Sequence, residues 1–144
     1  MVGRILAIDY GQKRTGLAVS DPGCKFAFPL DTVPTGQLLD YLKSYVVTNG
    51  VKAFVVGDPK DLRNKPSSIA PQVDSFVLRL KKLFPDCNVF RVDERFSSSL
   101  ATRAIIDSGV SKKERREDKG LVDRVSATIL LQSWIASNES RGSD

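Results

Sequence analysis

Apolar residues along the chain change their spacing several times, and each change marks an element. Arg4-Ile5-Leu6-Ala7-Ile8 is a nearly continuous apolar run that stops at Asp9, the pattern of a central strand buried on both faces. Thr15 to Ser20 and Lys25 to Val33 form two further strand patterns, separated by the turn signal Asp21-Pro22-Gly23. Leu38, Leu42, Tyr45 and Val46 then recur at helical spacing, with Thr35 placed to cap the helix and Gly50 just past its end. Ala53 to Gly57 predicts a fourth, buried strand, followed by a polar loop from Asp58 to Ser67. Ile69, Val73, Phe76, Val77, Leu80 and Leu83 predict a second helix, with Pro71 in its first turn and Pro85 as its stop. Val89 to Asp93 is a fifth strand, and Ser97 caps a third helix that reaches about Ser108, where Gly109 ends it. A charged stretch, Ser111 to Lys119, predicts a solvated loop ahead of a last helix from about Gly120 to Ala136.

The order β-β-β-α-β-α-β-α-α restricts the architecture. Short gaps make the first three strands an antiparallel meander, whereas strands joined through single helices run parallel with right-handed crossovers. The expectation is an α/β fold with a five-stranded mixed sheet, a three-strand antiparallel meander plus two parallel strands, flanked by helices. One domain over 1–137 and a frayed, disordered tail over 138–144 complete it. The first, fourth and fifth strands then end on one edge of the sheet, where open α/β sheets place their ligands. Asp9, Asp58 and the pair Asp93-Glu94 follow those three ends.

Composition narrows the chemistry. The 144 residues carry 22 Lys and Arg against 17 Asp and Glu, a net charge of +5, which favours polyanionic partners. Cys24 and Cys87 have no metal-ligand spacing and read as two free thiols. No apolar run approaches the ~18 residues of a membrane span, so the expectation is a cytoplasmic protein without a membrane partner. There is no histidine, which excludes Ser-His-Asp and Cys-His nucleophilic sites and the helical zinc-protease pattern. Any metal must be held by carboxylates and water, a donor set that suits Mg²⁺ or Mn²⁺.

Two segments concentrate the candidate residues. Asp9-Tyr10-Gly11-Gln12-Lys13-Arg14-Thr15-Gly16 has the form D-x-G-x-x-x-x-G, whose glycines permit a tight hairpin and close approach of a phosphate. On the last helix Asp123, Ala127, Leu130 and Trp134 share one face. A carboxylate on such a face is costly unless paired or metal-bound, and Ser126 and Ala127 would let the helix approach the sheet. A salt bridge from Asp123 to Lys13, Arg14 or Arg95 is the competing explanation. Between Asp93 and Glu94, alternation puts Glu94 in phase with Phe90 and Val92 and leaves open which carboxylate faces a metal.

Four blocks carry a resemblance that covers residues 5 to 134. Ile8 to Gly11 with Lys13 to Asp21 resembles the opening of the YqgF family, whose members are described as Holliday junction resolvases or pre-16S rRNA maturation nucleases. Val55 to Pro59, Val92 to Ser98, and Asp123 to Ala127 with Leu130-Leu131-Gln132 resemble its three later blocks, in order. Asp58, where an apolar residue is usual, and Asn64, where a glycine is usual, depart from the pattern. The resemblance implies a ribonuclease H-like fold and an acidic triad at Asp9, Glu94 and Asp123 that holds Mg²⁺ or Mn²⁺. Asp58 and Asp93 are additional candidates. Lys13, Arg14 and Arg95 adjoin the triad and are candidates for contact with nucleic-acid phosphates, as are Lys112, Lys113, Arg115 and Arg116 of the charged stretch.

The expected reaction is phosphodiester hydrolysis assisted by two metal ions about 4 Å apart, on structured RNA or branched DNA. Processing of the 5′ end of pre-16S rRNA, on ribosomal precursor particles, is the preferred role and suits a monomer. Resolution of four-way DNA junctions is the alternative and calls for a two-fold dimer. A nucleotide-binding module of the actin-like kind, or a non-catalytic nucleic-acid-binding module, are remoter readings.

Overall fold

The structure, a computed structural model, describes residues 3–58, 68–93 and 97–142, without the side chains of 97–99, 102 and 139–142. Strands β1 (Arg4–Asp9), β2 (Arg14–Ser20) and β3 (Ala27–Pro34) lead through a 3₁₀ turn (Thr35–Gln37) into helix α1 (Leu38–Asn49). Then follow β4 (Val51–Asp58), α2 (Ala70–Leu83), β5 (Asn88–Asp93), α3 (Ser97–Asp107), α4 (Lys112–Glu117) and α5 (Leu121–Gly142). The sheet order is β3-β2-β1-β4-β5. β1 pairs antiparallel with β2, and β2 with β3, while β1-β4 and β4-β5 are parallel. The expected mixed sheet is therefore present, with the ends of β1, β4 and β5 on one edge.

Alternation along the strands gives the two faces of the sheet different side chains. Leu6, Ile8, Leu17, Phe54 and Val56 pack under α1 and α2, against Leu38, Leu42, Val73, Phe76, Val77 and Leu80. The opposite face carries Ile5, Ala7, Ala18, Ala53 and Val55 and is covered by Ala127, Leu130, Leu131 and Ile135 of α5. Large side chains hold α1 and α2 at a distance; the alanines let α5 come close. That difference decides where the site forms.

Four local expectations change. Thr35 caps no helix: its hydroxyl donates instead to the Gly11 carbonyl at 2.7 Å, and α1 starts without a side-chain cap. The charged stretch contains α4, capped by Ser111, whose Oγ accepts the Glu114 N–H at 3.1 Å. Ser111-Lys112-Lys113-Glu114 has the S-x-x-E form of a capping box, a signal present in the sequence. Helix α5 continues to Gly142 instead of ending near Ala136, so 138–142 is helical, because no Gly or Pro interrupts the chain between Gly120 and Gly142. β3 begins at Ala27 rather than Lys25, because Lys25 and Phe26 belong to the turn before it.

That turn is organised by one carboxylate. Asp21 accepts the N–H groups of Gly23 (3.1 Å), Lys25 (2.8 Å) and Phe26 (2.8 Å), while Cys24 takes a left-handed φ of 59°. The N–H of Phe26 is the main reason the Asp21 carboxyl titrates below its ordinary value of 3.8. Cys24 and Cys87 are both free thiols, and burial pushes the Cys87 thiol up. Among the described residues no helix is long and apolar enough to cross a membrane.

A depressed carboxylate pKa stabilises the fold above the unfolded value and ceases to do so as pH falls through the folded one. Asp21→Ala should therefore lower the urea midpoint at pH 7. The gap from wild type should close as the pH is taken below 3.8. Equal midpoints at pH 7 would show that the turn does not depend on this carboxylate.

Candidate metal centre

β1 delivers Asp9 to the sheet edge, directly opposite Gly16 of β2 in the antiparallel ladder. Residues opposed in this way share a face, and the face is that of Ala7 and Ala18, the one α5 covers. Gly16 is the point of closest approach. A Cβ built there would overlap the backbone carbonyl of Asp123, so only glycine admits the helix at this register. Asp9 and Asp123 thus lie on either side of a residue with no side chain.

Two hydrogen-bonded ties hold these segments. In the hairpin, Thr35 spends its single hydroxyl proton on Gly11, so the fully buried Thr15 donates to Thr35 across 2.9 Å. The Thr35 N–H also donates to the Lys13 carbonyl at 3.0 Å. Gly11 itself packs against the Arg14 carbonyl, where a Cβ would not fit. At the start of α5, the Thr32 hydroxyl donates to the Gly120 carbonyl at 2.7 Å, and Arg124 donates to Thr32 at 3.2 Å while pairing with Asp118. The first turn of α5 is thereby pinned to β3. Asp123 occupies that turn, where the positive end of the helix dipole favours a carboxylate.

The described candidates separate by face. Asp123 makes an ion pair with Arg14, Nε to Oδ2 3.0 Å, so the salt-bridge reading of this residue is realised in part. With side chains 47% and 26% exposed, the pair is screened by water and contributes at most about 1 kcal/mol. Asp58 is in phase with Val56 on the α2 face, where Arg91 bridges it (2.9 Å) to Asp74 (3.2 Å). It stands on the opposite side of the sheet from Asp9 and Asp123, which tells against the idea of an extra ligand. Asp93 pairs with Asp58 across β4-β5 and is in phase with Arg91 and Val89, also on the α2 side. Phe90 and Val92 point the other way; the Phe90 ring packs tilted against Trp134, with ring centroids 5.1 Å apart. Glu94, Arg95 and Asn64 lie outside the described residues.

Of the basic candidates, Lys13 is exposed beside Arg14, and Lys112, Lys113 and Arg116 are exposed on α4. Lys113 is 4.0 Å from Glu117, a solvated i,i+4 pair. Arg115 is half-buried, and among the described residues its Nε finds no partner. Among the described residues no three acidic or cysteine side chains form a complete cation cage. A groove of about 330 Å³ lined by Ile5, Lys52, Ala53, Phe90 and Trp134 lies at the other ends of the strands. Trp134 is 11 residues along α5 from Asp123, about 16 Å at ~1.5 Å per residue, so this groove is separate from the acidic edge.

A family model described as "RuvX: Holliday junction resolvase" matches residues 3–137. The chain belongs to the RuvX family. RuvX relatives named "Putative pre-16S rRNA nuclease" include one from Flavobacterium johnsoniae, 48% identical over 93% of this chain and 96% of its own. Another, from Phocaeicola vulgatus, is 49% identical over 96% of this chain and 99% of its own. Among solved structures, T. thermophilus RuvC in complex with a Holliday junction substrate superposes with a TM-score of 0.55. It is 16% identical and covers 94% of this chain and 95% of that one, so it shows the ribonuclease H-like fold of this RuvX chain.

Gly16→Ala should destabilise this RuvX protein by roughly 1–3 kcal/mol, the usual result of forcing a methyl into a closed contact. Urea unfolding reads this directly. A variant as stable as wild type would mean that α5 does not rest on Gly16.

Proposed function

We propose that this chain is a divalent-metal-dependent endonuclease that trims the 5′ end of pre-16S rRNA, with Asp9, Glu94 and Asp123 as its metal ligands. The observation that carries the reading is the placement of Asp9 and Asp123 on either side of Gly16, on the α5 face of the sheet. The resemblance of Val92 to Ser98 to the family's acidic block is what supports Glu94, which in the sequence is in phase with Phe90 and Val92. The near-complete overlap with relatives named for pre-16S rRNA supports the substrate.

The donor set fits the proposed ion. Carboxylate oxygens at a partly exposed edge, in a chain without histidine, suit Mg²⁺ or Mn²⁺, which retain several waters. When bound, such ions lower the pKa of an attacking water and offset charge on the phosphate. The chain's own residues hold and orient: Asp9 is fixed by the β1-β2 ladder and Asp123 by the Thr32–Gly120–Arg124 tie. Lys13 and Arg14, with Arg95, supply positive charge for the phosphoryl oxygens. Lys112, Lys113, Arg115 and Arg116 lead into the helix that bears Asp123 and serve more distant backbone phosphates. We place this activity in the cytoplasm, on ribosomal precursor particles, with a monomer sufficient.

The second reading, cleavage of four-way DNA junctions, is supported by the description of the family itself. It requires a two-fold dimer that cuts opposite strands. A labelled pre-16S fragment and a labelled junction, each incubated with Mg²⁺, separate the two. The expected result is cutting of the RNA precursor, with Asp9→Asn slower by at least ~100-fold, more than is typical for loss of a residue that only orients a ligand. Asp58→Asn should cut at close to the wild-type rate. Unchanged cutting by Asp9→Asn would remove its assigned role, and cutting of the junction alone by a dimeric protein would install the second reading.

A further inference from the structure

We propose that Arg14 is a displaceable counter-ion: it neutralises Asp123 while no divalent cation is held there, and passes to a substrate phosphate when a cation takes its place. This inference rests on the metal-site reading above. Arg14 opens β2 two residues before Gly16, so alternation sends its side chain to the α5 face, toward Asp123. It engages that carboxylate through Nε alone, at 3.0 Å. Among the described residues its two terminal nitrogens make no hydrogen bond, and nearly half of the side chain is in solvent. The forked end that binds phosphate in two places is thus left presented at the edge of the site.

The neighbouring cations are differently placed. Arg124 is committed to Asp118 and Thr32, and Arg91 to Asp58 and Asp74 on the far face. Lys13 is exposed and makes no ion pair among the described residues. Arg14 alone among the described cations joins a proposed ligand to open solvent. An exposed pair of this kind biases an equilibrium by no more than about fivefold, so a doubly charged ion shared with Asp9 can displace it. Once displaced, the guanidinium is free to take a phosphate, and cation and nucleic acid each tighten the binding of the other.

The test uses the full chain and two readouts other than cleavage. Titration calorimetry with Mn²⁺ alone should show Arg14→Gln binding the ion roughly two- to fivefold more tightly than wild type, the worth of one exposed ion pair. Lys13→Gln, which removes the same charge one residue away, should change it less. Binding of a fluorescein-labelled pre-16S RNA fragment, with Ca²⁺ in place of Mg²⁺, should weaken in Arg14→Gln. The slope of log affinity against log salt should fall by about 1, and Ca²⁺ should no longer tighten binding. Arg14→Lys, which keeps the charge, should bring both readouts back toward wild type. Mn²⁺ affinity that is unchanged or weaker in Arg14→Gln would overturn the proposal and make the pair a static tie. If Asp123→Asn itself retains wild-type Mn²⁺ affinity, the metal-site reading fails first, and this inference with it.

Discussion

The closeness of α5 to the sheet at Gly16 is the constraint on which the acidic edge depends. A helix packed through ordinary side chains would stand too far from the strands to set its first-turn carboxylate beside one at a strand end. Here Ala7, Ala18 and Ala53 keep the α5 face shallow, and Gly16 removes the last obstacle, so that the helix backbone itself touches β2. The Thr32–Gly120–Arg124 tie prevents the helix from sliding along its axis, which would move Asp123 away from Asp9. Packing and hydrogen bonding thus act on the same coordinate.

The two faces divide the charged groups accordingly. On the side of α1 and α2, bulky residues fill the core, and Asp58 is neutralised by an arginine that also reaches Asp74. On the side of α5, the carboxylate nearest the helix start has, among the described residues, a single exposed guanidinium contact. Carboxylates at the same sheet edge therefore have different fates, set by whether their position in the strand is in phase with Val56 or with Ala7.

Much of this was legible in the residues. Unbroken apolar runs in β1 and β4, short gaps in the meander, and helical spacing from Ile69 to Leu83 set the strand directions through general rules of connection, while the order of strands across the sheet comes from the structure. The small residues after Asp123 point to a close approach of the last helix to the sheet, and it is made, whereas Gly11 and Gly16 suggest a tight hairpin and room for a phosphate, with no sign that α5 rests on Gly16. What stayed hidden depends on tertiary partners. β4 is buried on both sides, so its pattern carries no sign of which face α5 covers, and Asp58 could not be assigned. Thr35 looks like a cap until Thr15 and Gly11 arrive from a different part of the chain. The capping signal at Ser111 was local and readable, but a run of eight charged residues after it suggested a loop.

Arg14 and Asp123 touch although they are 109 positions apart in the chain. The meander is synthesised first and the helix bearing the second carboxylate last. A nascent polypeptide that has not yet released α5 therefore carries Arg14 without the Asp123 carboxylate that it meets in the folded chain. The tie between the first hairpin and the last helix is therefore a late contact in any folding that begins during synthesis, made only after the rest of the sheet has left the ribosome.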